Sequence, residues 1–239
     1  MEGYRAMPPI IEVQNLLQVI RKKCVLNELS MEVQTGECFG LFGNKSAGKT
    51  ALLHVLAGID RFRAGSVRIM NYDIRRTEKF KSYLGLVTQE KSLFQDLKAC
   101  ENLDFIAALK KAGSQNIRQV VEQLELQDYL NDPIDTLEEG VYQRLALACA
   151  LLNAPKLLLV DELIDGLDFH SHNLIIKAIK NYLYGGGTCL WAFNRLEYSA
   201  YMDRVGRLDK GKITIYRPEE LVEEYRNIFR TNEEHRVLS

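Results

Sequence analysis

Short apolar runs alternate along the chain with longer stretches whose apolar residues recur every three or four positions. Ile10-Ile11-Glu12-Val13-Gln14 alternates and predicts a strand. Val25 to Val33, apolar at Leu26, Leu29, Met31 and Val33, predicts a second. Glu37-Cys38-Phe39-Gly40-Leu41-Phe42 predicts a buried strand, and Ala51 to Ala57 a helix stopped by Gly58. Val67 to Met70 and Tyr83 to Thr88 follow as strands. From Asp96 to Leu130 the period becomes helical. Leu103, Ile106 and Ala107 suit one helix; Ile117, Val120, Val121, Leu124 and Leu126 suit another, with Gly113-Ser114 between them. Thr136 to Leu152 predicts a further helix, closed by Pro155. Leu157-Leu158-Leu159-Val160 reads as a strand buried on both faces. Ser171 to Leu183 predicts a helix and Thr188 to Phe193 a strand. Val205 to Ile215 predicts a hairpin about Asp209-Lys210-Gly211, and Pro218 to Phe229 a helix with proline at its start.

Strands alternating with helices imply an α/β chain with a mostly parallel sheet and some antiparallel elements. The helical block over about 90–153 interrupts that alternation and is expected as an inserted α-helical subdomain. Residues 1–9 are expected to be a flexible tail, 10–216 the main domain, and 217–239 a helix and polar tail.

Composition narrows this little. The apolar fraction of 46% is ordinary for a globular core. A net charge of −1 supplies no bulk field to attract nucleic acid. The five cysteines, Cys24, Cys38, Cys100, Cys149 and Cys189, are odd in number and widely spaced, which argues for reduced thiols in a cytosolic setting. No run approaches the apolar length of a membrane span.

The chemistry begins at Gly43-Asn44-Lys45-Ser46-Ala47-Gly48-Lys49-Thr50, a phosphate-loop pattern lying between a predicted strand and a predicted helix. The glycines let backbone N–H groups converge on phosphate oxygens, and the helix start presents its positive end to the same anion. Lys49 is placed to reach the β- and γ-phosphates of a nucleotide, and the Thr50 hydroxyl to ligate Mg²⁺. Asp161-Glu162 closes the apolar run Leu157 to Val160. Acids at the carboxyl end of a buried strand, beside a phosphate loop, suit a metal-holding carboxylate at Asp161 and a water-polarising one at Glu162. His170-Ser171-His172 has metal-like proximity but no further ligands nearby, so a solvated loop is expected there.

With these two motifs in place the chain resembles the ATP-binding subunit or domain of ABC transporters from Ile10 to about Ile215. The resemblance implies a RecA-like P-loop NTPase fold, ATP with Mg²⁺ as cofactor, and ATPase activity. It implies a transmembrane partner domain or subunit, a second ATP-binding domain paired head-to-tail, and a cytoplasmic location peripheral to the membrane. Gln89, after the strand Tyr83 to Thr88, matches the glutamine that touches Mg²⁺ and senses the membrane partner, so Thr50, Gln89 and Asp161 form the implied metal set. Asp165-Gly166-Leu167-Asp168 matches the D-loop, with Asp168 its acid. Leu145 to Leu151 matches the signature helix, although Cys149 stands where the family usually has arginine.

Several departures bear on function. The family signature Leu-Ser-Gly-Gly-Gln aligns with Leu137-Glu138-Glu139-Gly140-Val141. In the family this segment meets the γ-phosphate of ATP held by the other domain. Glu138 and Glu139 bring carboxylates toward a polyanion instead, and like charges about 4 Å apart repel by roughly 4 kcal/mol at an effective dielectric of about 20. Thr136-Leu137-Glu138-Glu139 also spells a capping box, so the helix is expected to keep its fold. Asn194 stands where the family has its switch histidine; it can donate a hydrogen bond but carries no charge. Val19-Ile20-Arg21 occupies the place of the aromatic adenine platform, which implies weaker ATP binding. Lys45 and Ser46 replace the usual asparagine and glycine, and Lys45 adds positive charge. These departures imply low or partner-dependent hydrolysis and a consensus partner domain. A non-hydrolysing, ATP-responsive regulatory module is the first alternative, and a soluble protein of the same type acting on ribosomes or DNA the second.

Overall fold

A computed structural model describes residues 8–237, with side chains described as far as Asn227. Most of the expected N-terminal tail, residues 1–7, lies outside the described residues, as does Leu238-Ser239 at the other end. Strands β1 (Ile11–Ile20) and β2 (Lys23–Val33) form an antiparallel hairpin turning at Arg21-Lys22, both at positive φ. The first strand runs six residues beyond its predicted end. Its alternation is broken after Val13 by register shifts and by Asn15 at φ +48°, which hides the continuation from a strict two-residue period.

Strand β3 (Cys38–Phe42) leads through the glycine loop into helix α1 (Lys49–Leu56). β4 (Ala64–Ile69) and β5 (Tyr72–Asp73) return to the first sheet, whose order is β2-β1-β4-β5. β6 (Leu84–Val87) enters the second sheet. Helices α2 (Ala99–Lys110), α3 (Ser114–Gln123) and α4 (Glu139–Leu151) then form the block between its strands. β7 (Leu157–Asp161), α5 (Phe169–Tyr184) and β8 (Thr188–Phe193) follow. β9 (Arg204–Asp209) and β10 (Lys212–Tyr216) form the expected hairpin, and α6 (Pro218–Val237) ends the chain.

The second sheet has the order β10-β9-β3-β8-β7-β6, parallel except for β10 at its edge. Side-chain alternation assigns each central strand to two cores. Leu157, Leu159, Phe39 and Leu41 face α1 and the antiparallel sheet. Leu158, Val160, Trp191 and Phe193 face α4, α5 and the helical block. That is why β3, β7 and β8 are buried at every position. Helix α4 is buried all round from Gly140 to Leu151, Gln143 and Arg144 included.

Two local expectations need correction. The helix predicted from Thr136 begins at Glu139, because Ile134–Thr136 closes as a 3-10 turn. The Thr136 hydroxyl donates to the Pro133 carbonyl at 2.8 Å, so no capping box forms; Glu138 is the N-cap without a side-chain bond. His170 and His172 lie not in a loop but in the first turn of α5, which starts early because the Asp168 carboxylate accepts the Ser171 N–H at 2.9 Å.

The start of α4 presses on the start of α5 at Gly140, where an added Cβ would fall onto the Asp168 carboxylate and the Ser171 side chain. Gly140→Ala is therefore expected to lower unfolding free energy by about 1–3 kcal/mol, read from the urea midpoint, despite alanine's better helix propensity.

Candidate functional site

Parallel order brings four loops to one edge. The glycine loop follows β3, Gln89 follows β6, Asp161 and Glu162 end β7, and Asn194 follows β8. Neighbouring parallel strands place their carboxyl ends side by side, so residues far apart in sequence meet there.

The glycine loop is held tightly. A Cβ at Gly43 would lie 2.6 Å from the Leu208 carbonyl oxygen. Gly48 has φ +105°, where a side chain would meet Val25 and Leu26 of the β1–β2 hairpin. Asn44, Lys45 and Ser46 are exposed at the tip and Ala47 is half-buried. Lys49 is 2% exposed, and its ammonium donates to the carbonyls of Gly43 at 2.7 Å and Asn44 at 3.0 Å. Its third partner is Glu162, with Nζ 3.1 Å from Oε1. The other Glu162 oxygen accepts from Gln89 Nε2 at 3.1 Å and Asn194 Nδ2 at 3.2 Å. Glu162 has φ +49°, a left-handed backbone rare for a side chain of this size.

Asp161 completes the cluster. Its Oδ2 accepts the Thr50 hydroxyl at 2.7 Å, while Oδ1 is buried with no partner. Burial pushes its carboxyl above the usual range; the Thr50 hydrogen bond opposes this and the Glu162 charge adds to it. A half-used carboxylate beside a hydroxyl fits a small, hard divalent cation with oxygen ligands. Among the described residues no group of three or more His, Cys, Asp or Glu forms a protein cage. A Mg²⁺ site built on one or two protein groups plus phosphates needs none.

The signature segment lies apart from this cluster. Leu137 and Val141 are buried, while Glu138 and Glu139 are exposed. Glu139 accepts from Gln143 Nε2 at 2.8 Å and stands 3.9 Å from Lys91 Nζ. Asp168 faces Gly140 and caps α5, and the Ser171 N–H holds its carboxyl below the usual range. Val19 and Ile20 end β1, with Ile20 partly exposed beside the Arg21 turn. His170 pairs with Glu125 at 3.0 Å, and His172 lies against the rings of Tyr198 and Tyr201.

Tyr142 was not legible as part of the site. It stands among Glu139, Gln143 and Arg144 and carries no motif, yet it is buried and its hydroxyl accepts the N–H groups of Ser92 at 2.7 Å and Leu93 at 3.2 Å. Lys91 lies over its ring. It thereby fastens the loop after Gln89 to the helix that carries the signature segment.

A glycine loop between strand and helix, with a buried lysine and a strand-end Asp-Glu pair, defines a P-loop nucleotide-binding domain. The ABC transporter family model matches residues 26–165, more than half of the chain, and the chain belongs to that family as an ATP-binding domain. It is 29% identical over 210 residues to the linearmycin resistance ATP-binding protein LnrL of Bacillus subtilis, covering 85% of this chain and 68% of that one. It is 30% identical over 221 residues to the Nod factor export ATP-binding protein I of Sinorhizobium fredii, covering 90% and 64%. Among solved structures, an ATP-binding subunit of an ABC transporter superposes with a TM-score of 0.82 at 20% identity, covering 90% of this chain and 93% of that one. A dimeric ATP-binding cassette in a post-hydrolysis state with ADP and Pi superposes at 0.81 and 21% identity, covering 87% and 98%. The structures share the fold.

The raised Asp161 carboxyl gives a test with a fixed sign. The folded state holds this proton more readily than the unfolded one, so its contribution to stability falls as pH rises through the carboxyl's shifted range. Asp161→Asn is neutral at every pH and is expected to raise the melting temperature of the nucleotide-free chain near pH 7. The same variant is expected to lose the Mg²⁺-dependent part of ATP binding. Calorimetry over a pH series descending from 7, with the difference between variant and parent shrinking as the pH falls through the carboxyl's range, checks both the sign and the cause.

Proposed function

We propose that the chain binds Mg-ATP at Gly43–Thr50 and conveys nucleotide binding to a transmembrane domain or subunit while paired head-to-tail with a second ATP-binding domain. The observation that carries this is the Thr50–Asp161 and Lys49–Glu162 pairing at the edge of the parallel sheet. The backbone of Gly43, Asn44, Lys45, Ser46, Ala47 and Gly48 cradles the phosphates, and Lys49 exchanges its carbonyl and Glu162 partners for phosphate oxygens. Thr50 and Asp161 would hold Mg²⁺, and Gln89 of the adjoining loop would be a further ligand. Mg²⁺, when bound, neutralises charge on the phosphates. Freed from Lys49, Glu162 accepts the proton of the attacking water. Asn194 stands beside it in the place of the family's switch histidine, donating a neutral hydrogen bond where a histidine can carry charge.

Hydrolysis is slow in this reading. Leu137 to Val141 faces the ATP of the opposite domain, and Glu138 and Glu139 meet its phosphates with negative charge. Asp168 of the D-loop lines the same interface. In a pair of two such chains both defects act on each γ-phosphate; with a consensus partner they fall on different sites. The chain is cytoplasmic and meets the membrane through protein, along the groove beside Gln89 and the helical block. Among the described residues no helix is long and apolar enough to cross a membrane.

Lys49→Ala is expected to abolish binding of a fluorescent ATP analogue, measured by titration of the purified chain. Binding at the parent level would sink the assignment of the loop.

Phosphate release separates the two defects. The chain alone is expected to show negligible steady-state release. Asn194→His is expected to raise the rate of a mixed pair by up to about 10²–10³, the usual effect of one transition-state donor. Glu138→Ser with Glu139→Gly is expected mainly to strengthen ATP-dependent dimerisation, read by analytical ultracentrifugation. Brisk release by the unmodified chain alone would show that these substitutions do not limit it.

A further inference from the structure

A cleft of about 790 Å³ lies between the loop that follows α1 and the loop that follows β5. That volume falls within the roughly 300–1,000 Å³ of small-molecule sites. Ile59, Phe62 and Ile74 give it apolar surface, and Arg61, Arg75 and Arg76 give it charge. None of these residues belongs to the glycine loop or to the cluster around Glu162.

Arg75 is held in place before any ligand arrives. Its guanidinium lies 4.1 Å over the Phe62 ring, and Nη2 donates to the Phe62 carbonyl at 3.1 Å. Asp73 fixes the backbone beneath it: Oδ1 accepts the Arg75 N–H at 3.0 Å, and Oδ2 pairs with Arg76 Nε at 3.1 Å. One bond to a carbonyl leaves most of the Arg75 donors free. The Arg61 side chain has no hydrogen bond or ion pair among the described residues. The acids on the walls are engaged elsewhere. Asp60 stands 3.5 Å from His54 Nδ1, and Glu78 pairs with Lys81 at 2.8 Å. A stacked guanidinium with no carboxylate partner, and a second one with no partner at all, suit an oxyanion that accepts paired N–H bonds from a planar fork.

We propose that this cleft is a second anion site, which takes the phosphate of a small organic ester on Arg61 and Arg75 and its apolar part on Ile59 and Ile74. Stacking on Phe62 lowers the cost of binding, because the Arg75 side chain is ordered in advance. The site is separate from the nucleotide site, and the inference does not rest on the nucleotide reading.

The test titrates the full chain, and Lys49→Ala in parallel, with phenyl phosphate and with benzyl alcohol as its neutral analogue, read by calorimetry at low ionic strength. Phenyl phosphate is expected to bind saturably in the cleft, about tenfold to a hundredfold more tightly than benzyl alcohol, the range for hydrogen bonds to a charged group. This binding is expected to survive Lys49→Ala, which takes the cation from the glycine loop. Arg61→Met and Arg75→Met are each expected to weaken it by about tenfold, and Lys177→Met, on α5, to leave it unchanged. Arg61 has no internal bond to lose, so its variant reports on the site even where Arg75→Met disturbs the fold. Cosedimentation with phosphatidylcholine vesicles that requires both phosphatidic acid and Arg61 assigns the phosphate to a lipid headgroup; phenyl phosphate binding without cosedimentation assigns it to a soluble ester. Binding that does not saturate, benzyl alcohol bound equally well, an affinity unchanged in Arg61→Met, or loss of binding in Lys49→Ala overturns the proposal.

Discussion

The buried Lys49 ammonium sets the terms for the rest of the site. An unpaired cation with 2% exposure costs several kcal/mol, so the chain must supply it with partners in every state. Two loop carbonyls and Glu162 do so here. Those bonds fix the curl of the glycine loop, and they also hold the Glu162 carboxylate in its left-handed backbone position. The same ion pair draws Gln89 and Asn194 inward, because the second Glu162 oxygen needs donors of its own. Triphosphate is the natural replacement for Glu162 on Lys49. In the proposed reading the exchange frees the carboxylate oxygen that faces Lys49, while Gln89 and Asn194 still donate to the other one. Nucleotide binding is thereby tied electrostatically to the two loops that follow β6 and β8.

The unusual residues act on this arrangement from different sides. Asn194 belongs to the Glu162 network, and its effect falls on the ATP this chain holds. Glu138 and Glu139 lie outside that network and are exposed, so their charge is presented outward. Those charges contribute little to folding, since Glu138 makes no side-chain cap and Glu139 makes one bond within its own helix and a long, exposed pair with Lys91. Gly140 is different: it is needed for the close approach of α4 and α5, whatever the segment meets. The segment thus keeps the residue its packing needs and varies where packing is indifferent. That pattern fits a surface matched to a particular neighbour.

The fold was largely legible because its signals are local and physically strong. Apolar runs with glycine or proline boundaries fixed most of the parallel strands to within a residue or two, and Thr188–Phe193 to the residue. The glycine loop and Asp161-Glu162 were legible because their chemistry constrains neighbouring residues. What failed was context-dependent. A positive-φ residue with bulges cut β1 short in the reading, and a 3-10 turn at Pro133 used up the hydroxyl that a capping box needs. The Lys49–Glu162 pair spans more than a hundred residues and exists only because β3 and β7 share a sheet. Tyr142 was hidden for a related reason. Its ring is buried although its sequence neighbours are polar, while its hydroxyl serves a loop fifty residues upstream, which no spacing encodes.

Tyr142 and Lys110 each tie the helical block to neighbouring segments of the chain. The loop after Gln89 is not free, since its backbone N–H groups at Ser92 and Leu93 are fixed to the phenol of α4. Lys91 bridges the same ring and Glu139. Lys110 then ties α2 to the ends of α4 and to β6 by bonds that are all long. The Tyr142 bonds join the glutamine loop to α4, and the longer Lys110 bonds join α2 to β6 and to the end of α4. Coupling in both directions follows from linkage, because whatever nucleotide does to the affinity for a partner, the partner must do to the affinity for nucleotide.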